Sequence, residues 1–495
     1  MIAGAPICRE MFLVLYGIGV RRLENLKQHY KNHGITPRTH GNKGEMPIGT
    51  CSMDTLQHVI SFLDNYAEEH AVALPGRVPG FKRSDIKLLP SSATKASIHR
   101  LYEQSAESTG LPVVSYSKFV TMWNELRPLV RITKPMTDLC HTCQKNNSNI
   151  YQSANLPDEE KSEIVWKQEA HLLDAECERS LYKSVCEETK RNLKPILNSL
   201  DFNETRTPCS FEGKMHYSFD YAQQVHLPSN PMQPGPIYFK VPRKVGIFGV
   251  CCESLPRQVN FVIDEAGSVG KGANATISYL HYFFQKHGIG ETDVHLHADN
   301  CCGQNKNSYV LWYLAWRIIT GLHQTCVYSF LIVGHTKFAC DWCFGLLKQS
   351  FRKSFISSLY EFASVIDRST VTGVNVPQLC SLHDGSVIVP VYDWVSFLSA
   401  YFRKFKNIKK YHHFRFKKEA PGVVFHKQFS DSTEESFILL RAENDFPPAN
   451  LLTIQEPKGL DHQRQMYLFN EIRQFCKEGT EDLIAREPQR DPHTD

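Results

Sequence analysis

The chain has no apolar run long enough to cross a bilayer, no cleavable signal pattern, no internal repeat, no low-complexity tract and little excess of either charge. Each absence excludes something. The stretch Met11-Phe-Leu-Val-Leu-Tyr16 falls far short of the ~20 residues a spanning helix needs, so no membrane partner is expected. Without a secretory pattern, the 16 cysteines predict reduced thiols in an intracellular protein and not a disulfide scaffold. A net charge of +4 is too mild to attract a polyanion in bulk, which leaves that task to local clusters. Apolar content of 42% beside 22% charged residues is near the globular average, so most of the chain should fold.

At 495 residues the chain exceeds what one hydrophobic core usually supports. Residues 1–135 read as a helical, DNA-binding-like region. In it Phe12 to Tyr16 and Val20 to Tyr30 flank a Gly17-Ile-Gly19 break in helix-turn-helix fashion, with Leu23 and Leu26 on one face. A second pair is expected over Thr94 to Gln104 and Ser117 to Leu126, after a basic linker, Pro75-Gly-Arg-Val-Pro-Gly-Phe-Lys-Arg83. Residues 136–207 form a linker region with Cys140-His-Thr-Cys143 and a long polar helix from about Asp158 to Asn192. A core at 208–370 precedes a C-terminal α+β basic region at 371–480 and an acidic tail at 481–495. The C-terminal region should hold strands at Val387 to Tyr392, Gly422 to Phe425 and Phe437 to Leu440, then a helix from Asp461 to Cys476.

In the core the pattern predicts strands at Met215 to Asp220, at Ile237 to Val241 or Gly246 to Cys251, and at Gln258 to Asp264. A helix (Asn274 to Lys286), a strand (Val294 to Asp299), a helix (Lys306 to Thr320), a strand (Cys326 to Val333) and a helix from about Asp341 follow. That order, βββαβαβα, predicts a mixed α/β sheet covered by helices, in the order of a ribonuclease-H-like core. Asp220, Asp299 and Asp341 each sit where the chain leaves, or has just left, a strand. Three such carboxylates gathered at one sheet edge suit Mg²⁺ or Mn²⁺ and phosphodiester chemistry, because hard divalent ions take oxygen ligands. Asp264 and Glu265 also end a strand and are rivals, and Glu361 is another candidate for the last acid. Asn300, Gln304, Asn305 and Lys306, in the loop after Asp299, are candidate phosphate contacts at a helix N-terminus, and His335 is a candidate contact near the leaving group.

The motifs Asp299-Asn-Cys-Cys-Gly-Gln-Asn-Lys-Asn307, Gly334-His-Thr336 and Asp341 with Phe344-Gly345 resemble a family of transposon-derived proteins of animal genomes with a DDD/E transposase or integrase core. Phe119-(x)3-Trp123 and Thr137-Asp-Leu-Cys-(x)2-Cys143 resemble that family's N-terminal half. The likeness covers roughly residues 110 to 350, and more weakly to about 476. It implies a ribonuclease-H fold, DNA cleavage and strand transfer, and dependence on Mg²⁺ or Mn²⁺. Cys301, Cys302, Cys340 and Cys343 depart from the usual surroundings of such acids. The alternatives are a domesticated DNA-binding or chromatin protein with an inactive core, and a cellular nuclease acting on RNA or hybrids.

Cys140 and Cys143, one helical turn apart, form half of a tetrahedral Zn²⁺ site, for which His171 and Cys177 are the candidate second half. A second thiolate site could join Cys340 and Cys343 to Cys301 and Cys302. Phe402 to Lys418 mixes rings with cations, and Arg403, Lys404, Lys409 and Lys410 are candidate DNA-backbone contacts beside stacking aromatics. The expected partner is DNA, either transposon ends or genomic DNA, with a homo-oligomer as the working form and the nucleus as the location.

Overall fold

The computed structural model describes residues 6–39, 51–71, 86–133, 139–195, 205–442 and 452–488. The basic linker at 75–83, residues 137–138 and the tail from 489 lie outside them. Two compact units emerge, one of residues 1–72 and 85–134, the other of 73–84 and 135–495.

The first unit contains α1 (Arg9–Leu15), α2 (Val20–His33), α3 (Met53–His70), β1 (Lys87–Leu89), α4 (Lys95–Thr109), α5 (Tyr116–Leu126) and β2 (Val130–Ile132). Both expected helix pairs form, but they differ in kind. No residue of α1 or α2 is buried, whereas α4 and α5 pack with α3 around Leu63, Ile98, Tyr102, Phe119 and Trp123. A two-pronged ion pair from Arg127 to Asp64 (2.6 and 2.7 Å) and the short parallel pairing of β1 with β2 close this small core.

The second unit runs α6 (His141–Gln152), α7 (Asp158–Leu193), β3 (Phe211–Leu227), β4 (Arg243–Cys252), β5 (Arg257–Asp264), α8 (Ala273–Lys286), β6 (Glu291–Ala298), α9 (Ser308–Ile319), β7 (Thr325–Phe330), α10 (Ala339–Phe351), α11 (Leu359–Asp367), β8 (Asn375–Leu379), α12 (Trp394–Ser399), β9 (His413–Lys417), β10 (Val423–Lys427), β11 (Glu435–Ile438), α13 (His462–Tyr467) and α14 (Glu481–Ile484). The predicted βββαβαβα order is present from β3 to α10. Nine strands form one mixed sheet in the order β11-β10-β9-β7-β6-β3-β4-β5-β8. β3, β6 and β7 are mutually parallel, as are β5 and β8, while β4 and β9 run against their neighbours.

Several expectations are corrected here. Ile237 to Val241 forms no strand, because Gly235–Phe239 winds into a 3₁₀ turn started by Pro234. Val387 to Tyr392 makes only single bridges, Ser381 to Val387 and Tyr392 to Ile454, although Val389 and Val391 are buried. Nor does the sheet stop at residue 370: β8 pairs with β5 and β9 with β7, so the C-terminal strands extend the core sheet. The helix expected from Asp461 to Cys476 is α-helical only as α13, which passes at Leu468 into a π turn and then a 3₁₀ turn.

Strand alternation divides the side chains between two faces. Met215, Tyr217 and Phe219 of β3 enter the main core with α8, α9 and α12. α9 is buried from Val310 to Ile318, which explains why its sequence is apolar on every side. The alternate residues of β3, His216, Ser218 and Asp220, face α7 and α10. There Cys340 at the start of α10 donates to the Ser218 carbonyl at 3.1 Å. Gly249, paired with Asp220, brings that helix close: a Cβ at 249 would lie 2.6 Å from the Phe344 ring.

Candidate active site and metal centre

Phe219 of β3 pairs with Ala298, the last residue of β6, in parallel register, so Asp220 and Asp299 each follow directly on one partner of that pair. Asp341 stands in the first turn of α10, where its carboxylate accepts from the Phe338 N–H at 2.8 Å and caps the helix. The three acids feel one another. Burial first, then the charge of Asp299, with a smaller part from Asp341, pushes half-buried Asp220 up to about 7; the Tyr221 N–H, 2.7 Å from Oδ1, and the Lys271 ammonium act in the opposite sense. Asp341, which solvent reaches, is also raised, by desolvation first and in part by Asp299. Like charges brought together in this way favour a proton or a cation between them.

The loop after Asp299 does a different task from the one expected. Asn305 is fully buried, and its side-chain amide donates to Asp299 Oδ1, which also accepts from the Cys301 N–H at 3.1 Å. Lys306 is buried too. Its ammonium donates to Asn300 Oδ1 at 2.9 Å and lies 4.8 Å from the centre of the Phe330 ring, and desolvation lowers it to about 8. Asn300 spends its amide on the Leu331 carbonyl at 2.6 Å. These residues orient Asp299 and brace its loop from inside; Asn305 and Lys306 are buried, while Asn300 and Gln304 remain half-exposed. The cation that sequence reasoning missed is Lys271, in the loop before α8, whose charge acts on Asp220.

The cysteine pair does find two histidines, but not the expected set. Cys140 caps α6, Cys143 lies in its first turn, His171 comes from α7 and His335 from the loop between β7 and α10. Their four ligand atoms all lie within 4.8 Å of one another, with Cys140 Sγ 3.3 Å from His171 Nε2 and Cys143 Sγ 3.5 Å from His335 Nε2. An S–N edge of a tetrahedron with Zn–S ~2.3 Å and Zn–N ~2.0–2.1 Å is ~3.6 Å, so the cluster can hold a metal such as zinc. Burial lowers both imidazoles, His335 to about 4, which leaves them neutral and able to ligate; burial and the neighbouring Cys140 push the Cys143 thiol up to about 12. Cys177 is exposed and outside the cluster: six residues beyond His171, it points about 120° round the helix. His335, expected near a leaving group, takes its place. Gly334 makes this approach, at φ +83°, where a Cβ would lie 2.5 Å from Cys140 Cα.

Among the described residues it is this Cys₂His₂ group, and not the three aspartates, whose donor atoms close to within 4.8 Å. The rival acids are otherwise engaged. Asp264 is buried and gripped by the Arg243 guanidinium (Nε to Oδ1 2.7 Å), Glu265 pairs with Arg464 at 2.9 Å, and Glu361 accepts from the Ser357 N–H at 2.6 Å and from Lys477. The proposed thiolate site does not assemble, since Cys340 and Cys343 are buried with Cys251 while Cys302 is exposed. In the basic segment Phe402, Phe405, Phe414 and Phe416 are buried, which removes them as stacking platforms, and Arg403, Lys404, Lys409 and Lys410 remain exposed.

Residues 244–433 match a domain of unknown function, DUF7869. No curated protein matches the chain. The matched stretch begins in β4 and ends beyond β10, so it includes Asp299, Asp341 and His335 but neither Asp220 nor the other three ligands of the Cys/His cluster.

Proposed function

We propose that this chain is a transposase-derived enzyme with a ribonuclease-H-like core that cleaves and joins DNA strands with Mg²⁺ or Mn²⁺. The observation that carries the reading is the register of Phe219 with Ala298, which sets Asp220 and Asp299 side by side while α10 delivers Asp341. The order of the five core strands supports it: taken first to fifth from β3, they lie fifth-fourth-first-second-third, with the second alone reversed. Divalent cations at such a site supply positive charge to both the attacking and the leaving oxygen. Asp220, Asp299 and Asp341 hold them, Asn305 and the Cys301 N–H fix the rotamer of Asp299, and Lys271 offers the positive charge beside Asp220. A structural zinc at Cys140, Cys143, His171 and His335 ties α6 and α7 to the loop that leads into α10.

Purified protein with Mn²⁺ should nick terminal-repeat DNA, and Asp299→Asn should abolish nicking; equal cleavage by both would remove the assignment. A second reading, a domesticated DNA-binding protein that no longer cuts, is favoured by the looser spacing of the aspartates relative to the Cys/His group. Salt-sensitive DNA binding without uptake of divalent ions would select it.

A further inference from the structure

Beyond Asp220, β3 is interrupted by a register shift between Ala222 and Val225, and the bulge turns Gln223 and Gln224 out to solvent together. They line a cavity of about 480 Å³, within the ~300–1,000 Å³ range of ligand sites. The lining also takes Lys348 and Phe351 from the end of α10 and its C-cap Arg352, together with residues of the segment 228–242, Tyr238 among them. Tyr238 and its neighbour Phe239 are 76% and 86% exposed.

Both walls lead back to the acids. Gln223 is three residues along β3 from Asp220, about 10 Å. On α10, Asp341, Gly345, Lys348 and Arg352 recur at i, i+4, i+7 and i+11, a single stripe on which Lys348 lies about 10 Å from Asp341. Gly345 leaves that stripe open, with nothing within 4 Å of where a Cβ would be. Lys240, also on the cavity wall, is paired with Glu471, whereas Lys348 and Arg352 have no carboxylate partner among the described residues. Two unpaired cations one turn apart, side-chain amides in the same lining, the exposed Tyr238 ring and the exposed Phe239 ring next to it in sequence are the chemistry of a single polynucleotide strand: phosphates on the cations, bases on the amides and rings.

We propose that this cavity and the α10 stripe bind a single-stranded segment of the nucleic acid, next to the cation site of Asp220, Asp299 and Asp341. The proposal rests on the strand-cleavage reading for its meaning, but binding is measured without added magnesium or manganese, so the two fail separately. Fluorescence anisotropy with labelled oligo-dT and oligo-U of about twelve nucleotides tests it on the full chain. Wild type should bind at least one of them, and which one identifies the strand as DNA or RNA. Lys348→Ala with Arg352→Ala should weaken binding at least about tenfold and reduce the salt slope by about 1.4, two phosphates at ~0.7 each. Tyr238→Ala with Phe239→Ala should weaken it about five- to a hundredfold. Gly345→Asp, which sets an acid on the stripe in open space, should weaken it with the helix content unchanged by circular dichroism. Failure of wild type to bind either strand, or cation and Gly345 variants that bind like wild type, overturns the proposal. Binding that depends on these residues in a chain that cuts nothing would keep this site and discard the cleavage reading.

Discussion

Gly334→Ala is predicted to empty the Cys/His metal centre without touching a ligand. At 334 the added Cβ would lie 2.5 Å from Cys140 Cα and 2.6 Å from its Cβ, both parts of a buried helix cap that cannot rotate away. Restoring ordinary contact at ~3.5–4 Å requires the loop and α6 to part by about 1 Å. Metal ligands keep their distances within ~0.2 Å, so a shift of that size removes His335 or Cys140 from the coordination sphere. The positive φ of +83° adds strain, about 1–2 kcal/mol for a residue with a Cβ. Zinc content of the purified protein, together with the absorption spectrum after cobalt substitution, reads the outcome. Wild type should carry one zinc per chain and show a tetrahedral two-sulfur cobalt spectrum; the variant should show neither. A variant that holds zinc with wild-type affinity and spectrum would show that the loop and α6 tolerate the added Cβ with the ligands in place.

Asp220 binds its proton more tightly in the folded chain than in the unfolded one, so its contribution to stability is complete below the ordinary carboxylate pKa and is lost as pH rises through about 7. The shift corresponds to about 4 kcal/mol, reduced to about 2 for a half-buried group. Calorimetry without divalent ions should therefore show wild type losing more stability than Asp220→Asn between about pH 4 and 7; parallel curves would count against a raised Asp220. Asp264→Asn leaves Arg243 buried with one partner fewer and should cost about 3–5 kcal/mol in denaturant unfolding. It should leave Mn²⁺ uptake unchanged, and a loss of uptake at unchanged stability would restore Asp264 as a rival ligand.

The fold was legible where apolar runs were bounded by turn residues, as for β5, α8, β6 and α9, and the long helix α7 was readable from its acidic start and basic end. The sequence could also show that Asp220, Asp299 and Asp341 follow apolar strands, but not which strands are neighbours; that comes from the register. His335 was missed as a ligand because it is nearly two hundred residues from Cys143 and reaches it only through the fold, although a glycine directly before a histidine was a hint. Cys177, more than one turn beyond His171, could have joined it on one ion only through a bend in α7, and it stays outside the cluster. Asn305 and Lys306 misled because polar residues in a loop suggest solvent, while here they support a carboxylate and a ring from inside. In the basic segment the alternation Phe414, Arg415, Phe416, Lys417 has the two-residue period of a strand with one buried face, which fits β9 better than a row of stacking rings.

Asp220, Asp299 and Asp341 together are proposed to form a divalent-cation site. Titration of Mn²⁺ followed by electron paramagnetic resonance, at a pH above 7 where Asp220 is ionised, tests it most directly. Adding wild type should remove the free-ion signal, and Asp220→Asn and Asp299→Asn should each remove less of it. Equal uptake by all three proteins, or none by wild type, would contradict it.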